Sequence, residues 1–185
     1  FPSTGGLLPS VNGAVNNFIS NGMSPRKLGI GIPFYGYVWT GTNIAQPGQS
    51  WTNAPAVTQL GYDAIMAGYF QSNLYHWDTN VQAAYLSITN GDPAHDIFLS
   101  YDDQRACVAK VSYARNHGLG GVMVWEIAQD HQGGQSDSLV PALKQALRTP
   151  GPSSLQRNSD KVNLTELQSG DAGVVTNQAT PVHRD

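Results

Sequence analysis

The run GLGGVMVWEIAQD (residues 118–130) ends a short apolar stretch on Trp125, with Glu126 beside it. A glutamate can give or take a proton, and a tryptophan offers a flat apolar face to a ligand. Buried strands usually end in turn residues, so a large ring and an acid at that point call for a functional reading. Asp102-Asp103 is an adjacent carboxylate pair of the kind acid–base chemistry uses, but it stands just before a helical pattern and reads as a helix cap. Cys107 falls at an apolar helix position and reads as a buried structural thiol; a lone cysteine forms no internal disulfide. The five histidines (His76, His95, His117, His131, His183) show no H-x-x-x-H spacing, so neither a metal nor any other cofactor is expected.

The whole chain narrows the partners. Its 185 residues suffice for one domain with a full core and are few for two. Charged residues make up only 12%, against four tryptophans and eight tyrosines, a balance that suits neutral ligands such as sugars. A net charge of −3 argues against nucleic acid, which needs a basic footprint. No apolar run reaches the roughly 20 residues that span a bilayer, and no signal peptide is apparent, so no membrane partner is expected.

The elements that must position Trp125 follow from spacing. Pro9-Ser10 before Ala14, Val15, Phe18 and Ile19 predicts a helix ending near Gly22. Leu28–Phe34 (LGIGIPF) predicts a strand buried on both faces. Asp102-Asp103, then Cys107, Val111 and Ala114, predict a second helix, with Arg115 and His117 suiting its C-terminal dipole and Gly118 ending it. Gly121–Trp125 is the next buried strand, and Ser136–Ser138 offer a cap for a helix with Leu139, Val140, Leu143 and Leu147 on one side. Pro141 is tolerable in its first turn. Between the strands the rhythm changes. A polar loop covers 41–53, Tyr62, Ile65, Met66, Tyr69 and Phe70 have helical spacing, and strand-like pieces lie at 75–77, 84–86 and 97–99. The expectation is an α/β fold, a parallel sheet or a barrel, over residues 1–149, with a small α+β insertion at about 41–96. Residues 150–185, rich in Pro, Ser, Gln and Asn, read as a linker or disordered tail. Asn163-Leu164-Thr165 within it is a glycosylation sequon, a triplet common by chance.

In parallel α/β folds function gathers at the C-terminal strand ends. Alternation puts Met123 and Trp125 on one face and Val122 and Val124 on the other. If the first face is a barrel interior, Trp125 is its last inward residue, either a floor for a sugar ring or a plug for the barrel end.

Here the residues carry a resemblance. FLSYDDQRACVAKVSYARNHGLGGVMVWEIAQD resembles the last helix–strand unit of the family-18 chitinases, with its Ser-Tyr-Asp-Asp opening, spaced lysine and Leu-Gly-Gly…Trp strand. KLGIGIPFYGYVWTG is similar to the strand before it, and GYDAIMAGYF with YHWD to the insertion that walls the cleft in deep-groove members. The resemblance covers roughly Pro9 to Leu147. It implies the C-terminal part of a (β/α)8 barrel, with the last two barrel strands separated by the insertion. It also implies chitin or chitooligosaccharides as partner, and a secreted, extracellular protein.

The same resemblance implies substrate-assisted retaining hydrolysis of β-1,4-linked N-acetylglucosamine polymers, in which a glutamic acid in an Asp-x-x-Asp-x-Asp-x-Glu motif protonates the glycosidic oxygen. The chain has two glutamates, Glu126 and Glu166, preceded two residues earlier by Val124 and Leu164, so that motif is absent, as is the family's sixth-strand Tyr-Asp pair. No catalytic residue is expected here, and the chain alone is expected to be inactive without an N-terminal half of the barrel. The alternative is a non-catalytic chitinase-like protein that binds chitooligosaccharides. The expected sugar-binding residues are Trp125, Tyr35, Tyr37, Trp39 and Glu126, with Tyr37 standing where many members have arginine. Trp77 reads as insertion core, and Asp130 as ordering the loop after the last strand.

Overall fold

The computed structural model describes residues 9–131 and 136–149. The expected tail, 150–185, and with it Glu166, lies outside them. Helix α1 (Val11–Ser20) starts where the sequence puts it, with Ser10 Oγ accepting from the Gly13 N–H at 3.0 Å. Of its apolar stripe only Val15 is buried; Phe18 is 52% exposed, because no described element covers that side. Strand β1 (Gly29–Pro33) then runs parallel to β7 (Gly121–Trp125), in a register pairing Ile30 with Val122 and Pro33 with Trp125. Between them the chain forms a five-stranded antiparallel sheet. Its strands are β2 (Tyr35–Thr40), β3 (Ala56–Gly61), β4 (Tyr75–Asp78), β5 (Ala83–Ile88) and β6 (Ile97–Tyr101), in the order β3-β2-β6-β5-β4. The sheet therefore takes in residues on both sides of 41–96. Strand β3 is an addition to the sequence reading: it lies at an edge with four of its residues exposed, so its side chains show no buried–exposed alternation.

Helix α2 (Tyr62–Gly68) packs Tyr62 and Ile65 under one face of this sheet. Helix α3 (Gln104–Asn116) packs on β1 and β7 and on α4 (Leu139–Arg148). One apolar core joins all of these. It includes Ile32 and Phe34, Val38, Leu86 and Leu99 from the sheet, Cys107 and Val111 of α3, and Leu139 and Leu143 of α4. Val122 and Val124 of β7 pack against it, as alternation predicts, which turns Met123 and Trp125 to the other side.

The glycines before β7 have two separate jobs. Gly118, at φ 63°, takes the left-handed conformation that ends α3. The Leu119 N–H then returns to the Ala114 carbonyl at 2.8 Å. Gly120 lies against the turn before β1: its N–H donates to the Leu28 carbonyl at 2.8 Å, and a Cβ there would collide with the Arg26 carbonyl.

Several polar residues act differently from their sequence reading. Asp103 alone caps α3, accepting from the Ala106 N–H at 2.8 Å. Asp102 is buried and paired with Lys110, whose ammonium opposes the rise in carboxyl pKa that burial causes. Arg115 donates to the Ala146 and Leu147 carbonyls, both at 2.7 Å, so it caps the C-terminus of α4 rather than its own helix. Ser138 holds the N-cap position of α4 without a side-chain cap bond. Asp130 does that work instead, accepting from the Leu139 N–H at 2.8 Å, the Val140 N–H at 3.0 Å and Ser138 Oγ at 2.6 Å. Cys107 is fully buried, and burial pushes its thiol well above the usual range, as expected of an inert structural thiol.

Removing one member of a buried ion pair leaves the other uncompensated, so Lys110→Met is expected to cost about 3–5 kcal/mol of stability. Removing both charges in Asp102→Leu/Lys110→Met recovers most of that loss. Urea unfolding of the two variants measures it, and a double variant no more stable than Lys110→Met would contradict the coupling.

Candidate functional site

The site begins where β1 and β7 end together. The Phe34 N–H donates to the Trp125 carbonyl at 2.8 Å, and the Phe34 carbonyl accepts from the Tyr62 N–H at 2.8 Å. The Phe34 ring is fully buried. With both sides of its backbone engaged, the chain leaves β1 here and enters the second sheet. Tyr35 and Tyr37 therefore belong to β2 and not to the strand of Pro33.

Trp125 stands on the open side of the parallel pair, 63% exposed, with Met123 exposed on the same face. Glu126 follows on an exposed turn, the peptide bond between the two being cis. Its carboxylate makes no hydrogen bond among the described residues and does not cap the short 3-10 turn Ile127–Gln129.

Tyr35, Tyr37 and Trp39 alternate onto one face of β2, and their rings touch in series. Tyr35 meets Tyr37 edge-on with centroids 5.9 Å apart, and Tyr37 meets Trp39 at 6.0 Å. The series continues across the sheet. Trp39 pairs in register with Phe98 at 5.2 Å, Phe98 contacts Tyr85 at 5.7 Å, and Tyr85 stacks on His76 at 5.0 Å. The register places Ser100 and Ser87 on the same face. From β2 to β5 this face carries rings and hydroxyls and no charged side chain. Phe98, Tyr85 and His76 were not expected as part of it. They come from β6, β5 and β4, and the pairing that brings β6 beside β2 joins residues about sixty apart in sequence, which no local pattern reveals.

Trp77 points to the opposite, packed face, as the sequence predicts, with the Arg105 guanidinium 4.1 Å from its ring centre. A separate cavity of about 210 Å3 lies on that side, lined by Tyr62, Tyr75, Tyr101, Asp103, Gln104 and Asp137 among others. Its phenols are held protonated. Burial first, then the Asp103 carboxylate that accepts its hydroxyl at 2.8 Å, pushes Tyr75 up to about 12, and burial raises Tyr62 and Tyr101 further. Among the described residues no group of three or more His, Cys, Asp or Glu side chains is placed to hold a metal ion.

Two adjoining surfaces thus stand out: a tryptophan at the end of a parallel strand pair, and a strip of rings that starts two residues beyond the partner strand. Residues 5–130 match the family described as Glycosyl hydrolases family 18. The chain belongs to that family. A class V chitinase of Arabidopsis thaliana is 30% identical over 138 residues, which is 73% of this chain and 35% of that protein. Chitinase A1 of Niallia circulans is 30% identical over 152 residues, 77% of this chain and 20% of that protein. The solved family-18 N-acetylglucosaminidase from Paenibacillus barengoltzii superposes with a TM-score of 0.62 at 27% identity, covering 79% of this chain and 41% of the other. The chain spans about a third or less of the length of these two curated relatives.

Because the Trp125 ring is largely in solvent, Trp125→Ala is expected to change the stability of the chain by no more than about 0.5 kcal/mol. Asp130→Ala removes the acceptor for three hydrogen bonds at α4 and is expected to cost about 1–2 kcal/mol. Urea midpoints compare the two directly. A larger loss from Trp125→Ala than from Asp130→Ala would make the ring a structural plug.

Proposed function

We propose that this chain forms the C-terminal part of a family-18 chitinase barrel, in which Trp125 is the floor on which the reacting sugar of a β-1,4-linked N-acetylglucosamine chain rests. The observation that carries this reading is the exposure of Trp125 at the C-terminal end of β7, in register with Pro33 and beside the strip that opens at Tyr35. A flat ring takes the apolar face of a pyranose, while hydroxyls and amides around it satisfy the sugar's polar edge. Tyr35, Tyr37 and Trp39 extend that surface, and Glu126, whose carboxylate has no hydrogen-bond partner among the described residues, accepts from sugar hydroxyls.

The partly open state of the fold supports the same reading. Among the described residues β1 and β7 each pair along one edge only, and Phe18, Met123, Trp125, Ile127 and Leu147 all expose large apolar surface. Unpaired strand edges and exposed apolar residues are features that further barrel strands would cover. Those strands would carry the glutamic acid that protonates the glycosidic oxygen in substrate-assisted retaining hydrolysis. Glu126 is not cast in that role, since the acidic motif does not precede it.

The chain alone should release no product from a fluorogenic chitobioside. Joined to the N-terminal barrel portion of a family-18 relative that carries the acidic motif, it should turn the substrate over. In that complete barrel Trp125→Ala should weaken chitooligosaccharide binding by about 2–4 kcal/mol, the range of a buried aromatic anchor, and should lower kcat as well, because sugar distortion depends on the floor. Turnover by the chain alone that disappears in Glu126→Gln would overturn the assignment and make Glu126 the acid. Tight binding without turnover in the complete barrel would favour a chitooligosaccharide-binding protein instead.

A further inference from the structure

The ring strip on the five-stranded sheet ends in a hollow, and the loop that closes it is built with unusual care. Residues 41–53, between β2 and β3, form no regular element, yet Thr42, Ile44 and Ala45 are buried. Asn43 Oδ1 accepts from the Thr52 N–H at 3.0 Å and the Thr52 hydroxyl at 3.3 Å, closing the loop across nine residues. Gln49 Oε1 accepts from the Ala45 N–H at 2.9 Å and the Gln46 N–H at 3.2 Å, and Gln49 Nε2 donates to the Asn43 carbonyl. Two side-chain amides thus tie the loop to itself, and the loop presents Trp51 half in solvent, 52% exposed. Trp51 lines a hollow of about 660 Å3 together with Trp39, Phe98 and Ile44, and with Gln46 and Ser50. Among the described residues no charged side chain lines it.

We propose that this hollow is a distal sugar subsite, which holds an N-acetylhexosamine unit of a long β-1,4-linked chain between Trp51 and the Trp39–Phe98 pair. The identity of the sugar rests on the function proposed above; the site itself rests on its own geometry. Two indole rings and a phenyl ring give apolar faces for a pyranose, and the neutral amide and hydroxyl side chains of Gln46 and Ser50 match its hydroxyls and acetamido group. The absence of charge disfavours phosphates, nucleotides and amines, which need an opposite charge to offset their desolvation. The self-tied loop holds Trp51 in place before a ligand arrives, so little ordering entropy is lost on binding. The strip Tyr35–Tyr37–Trp39 starts two residues beyond β1 and ends at Trp39 in the wall of the hollow.

The indole N–H signals of the 185-residue chain, assigned with Trp39→Phe, Trp51→Phe and Trp125→Phe, separate the two sites in one NMR titration. Chitohexaose is expected to move the Trp51 and Trp39 signals saturably and to bind about tenfold more tightly than chitobiose. Trp51→Ala, which removes an exposed ring from a loop tied by other residues, should abolish that tenfold gain and leave chitobiose affinity unchanged. Heteronuclear spectra of the variant confirm that the loop stays folded. A Trp51 signal that stays still at millimolar chitohexaose overturns the distal subsite, whatever Trp125 does. A Trp51 signal that moves while Trp125 stays still supports the subsite and counts against Trp125 as the floor. Equal affinity of the wild-type chain for chitobiose and chitohexaose also overturns the subsite.

Discussion

The backbone of Phe34 holds the two halves of this structure together. Its N–H is bound to the last residue of β7, its carbonyl receives the first N–H of α2, and its ring is sealed in the core. These bonds fix where the parallel pair stops and where the antiparallel sheet begins. The strip of rings on β2 follows from them, since Tyr35 is the next residue and alternation then selects Tyr37 and Trp39. Moving the junction by one residue would turn all three rings into the core and bring Gly36 and Val38 to the surface.

The pair β1–β7 is in turn held by what lies around it. Gly120 allows the close approach to the turn before β1, Gly118 ends α3 at the right point, and Asp130 anchors α4 with three hydrogen bonds. The buried Asp102–Lys110 pair tethers α3 to the end of β6. The Met123–Trp125 face is left exposed.

Much of this was legible in the sequence. Helical spacing and capping residues gave α1, α3 and α4, and the apolar runs gave β1 and β7, because those signals are local. The match to Glycosyl hydrolases family 18 agrees with the resemblance carried by the Ser-Tyr-Asp-Asp and Leu-Gly-Gly…Trp motifs. The misses have physical causes. Strand β3 was hidden because an edge strand with exposed side chains shows no alternation of burial. The strand read at Leu28–Phe34 stops at Pro33, because the break at Phe34 is made by contacts to Trp125 and Tyr62, far away in sequence. Asp102 and Asp103 are chemically alike and adjacent, so only their partners distinguish a buried ion pair from a cap. Trp51 was lost among the Gly, Asn, Gln and Ser of a loop whose order comes from amide hydrogen bonds and not from any period. Of the expected site residues, the structure places Tyr35, Tyr37 and Trp39 in one contact series, Trp125 at the neighbouring strand end and Glu126 on the turn beyond it.

The central claim is that the open face of β7 is a sugar floor. Its most direct test is a crystal structure of the complete barrel, its catalytic acid neutralised, with a bound chitooligosaccharide. The account predicts one pyranose lying flat on Trp125, with neighbouring units passing along Tyr35 and Tyr37. A Trp125 ring covered by protein side chains, with the oligosaccharide bound elsewhere, would contradict it.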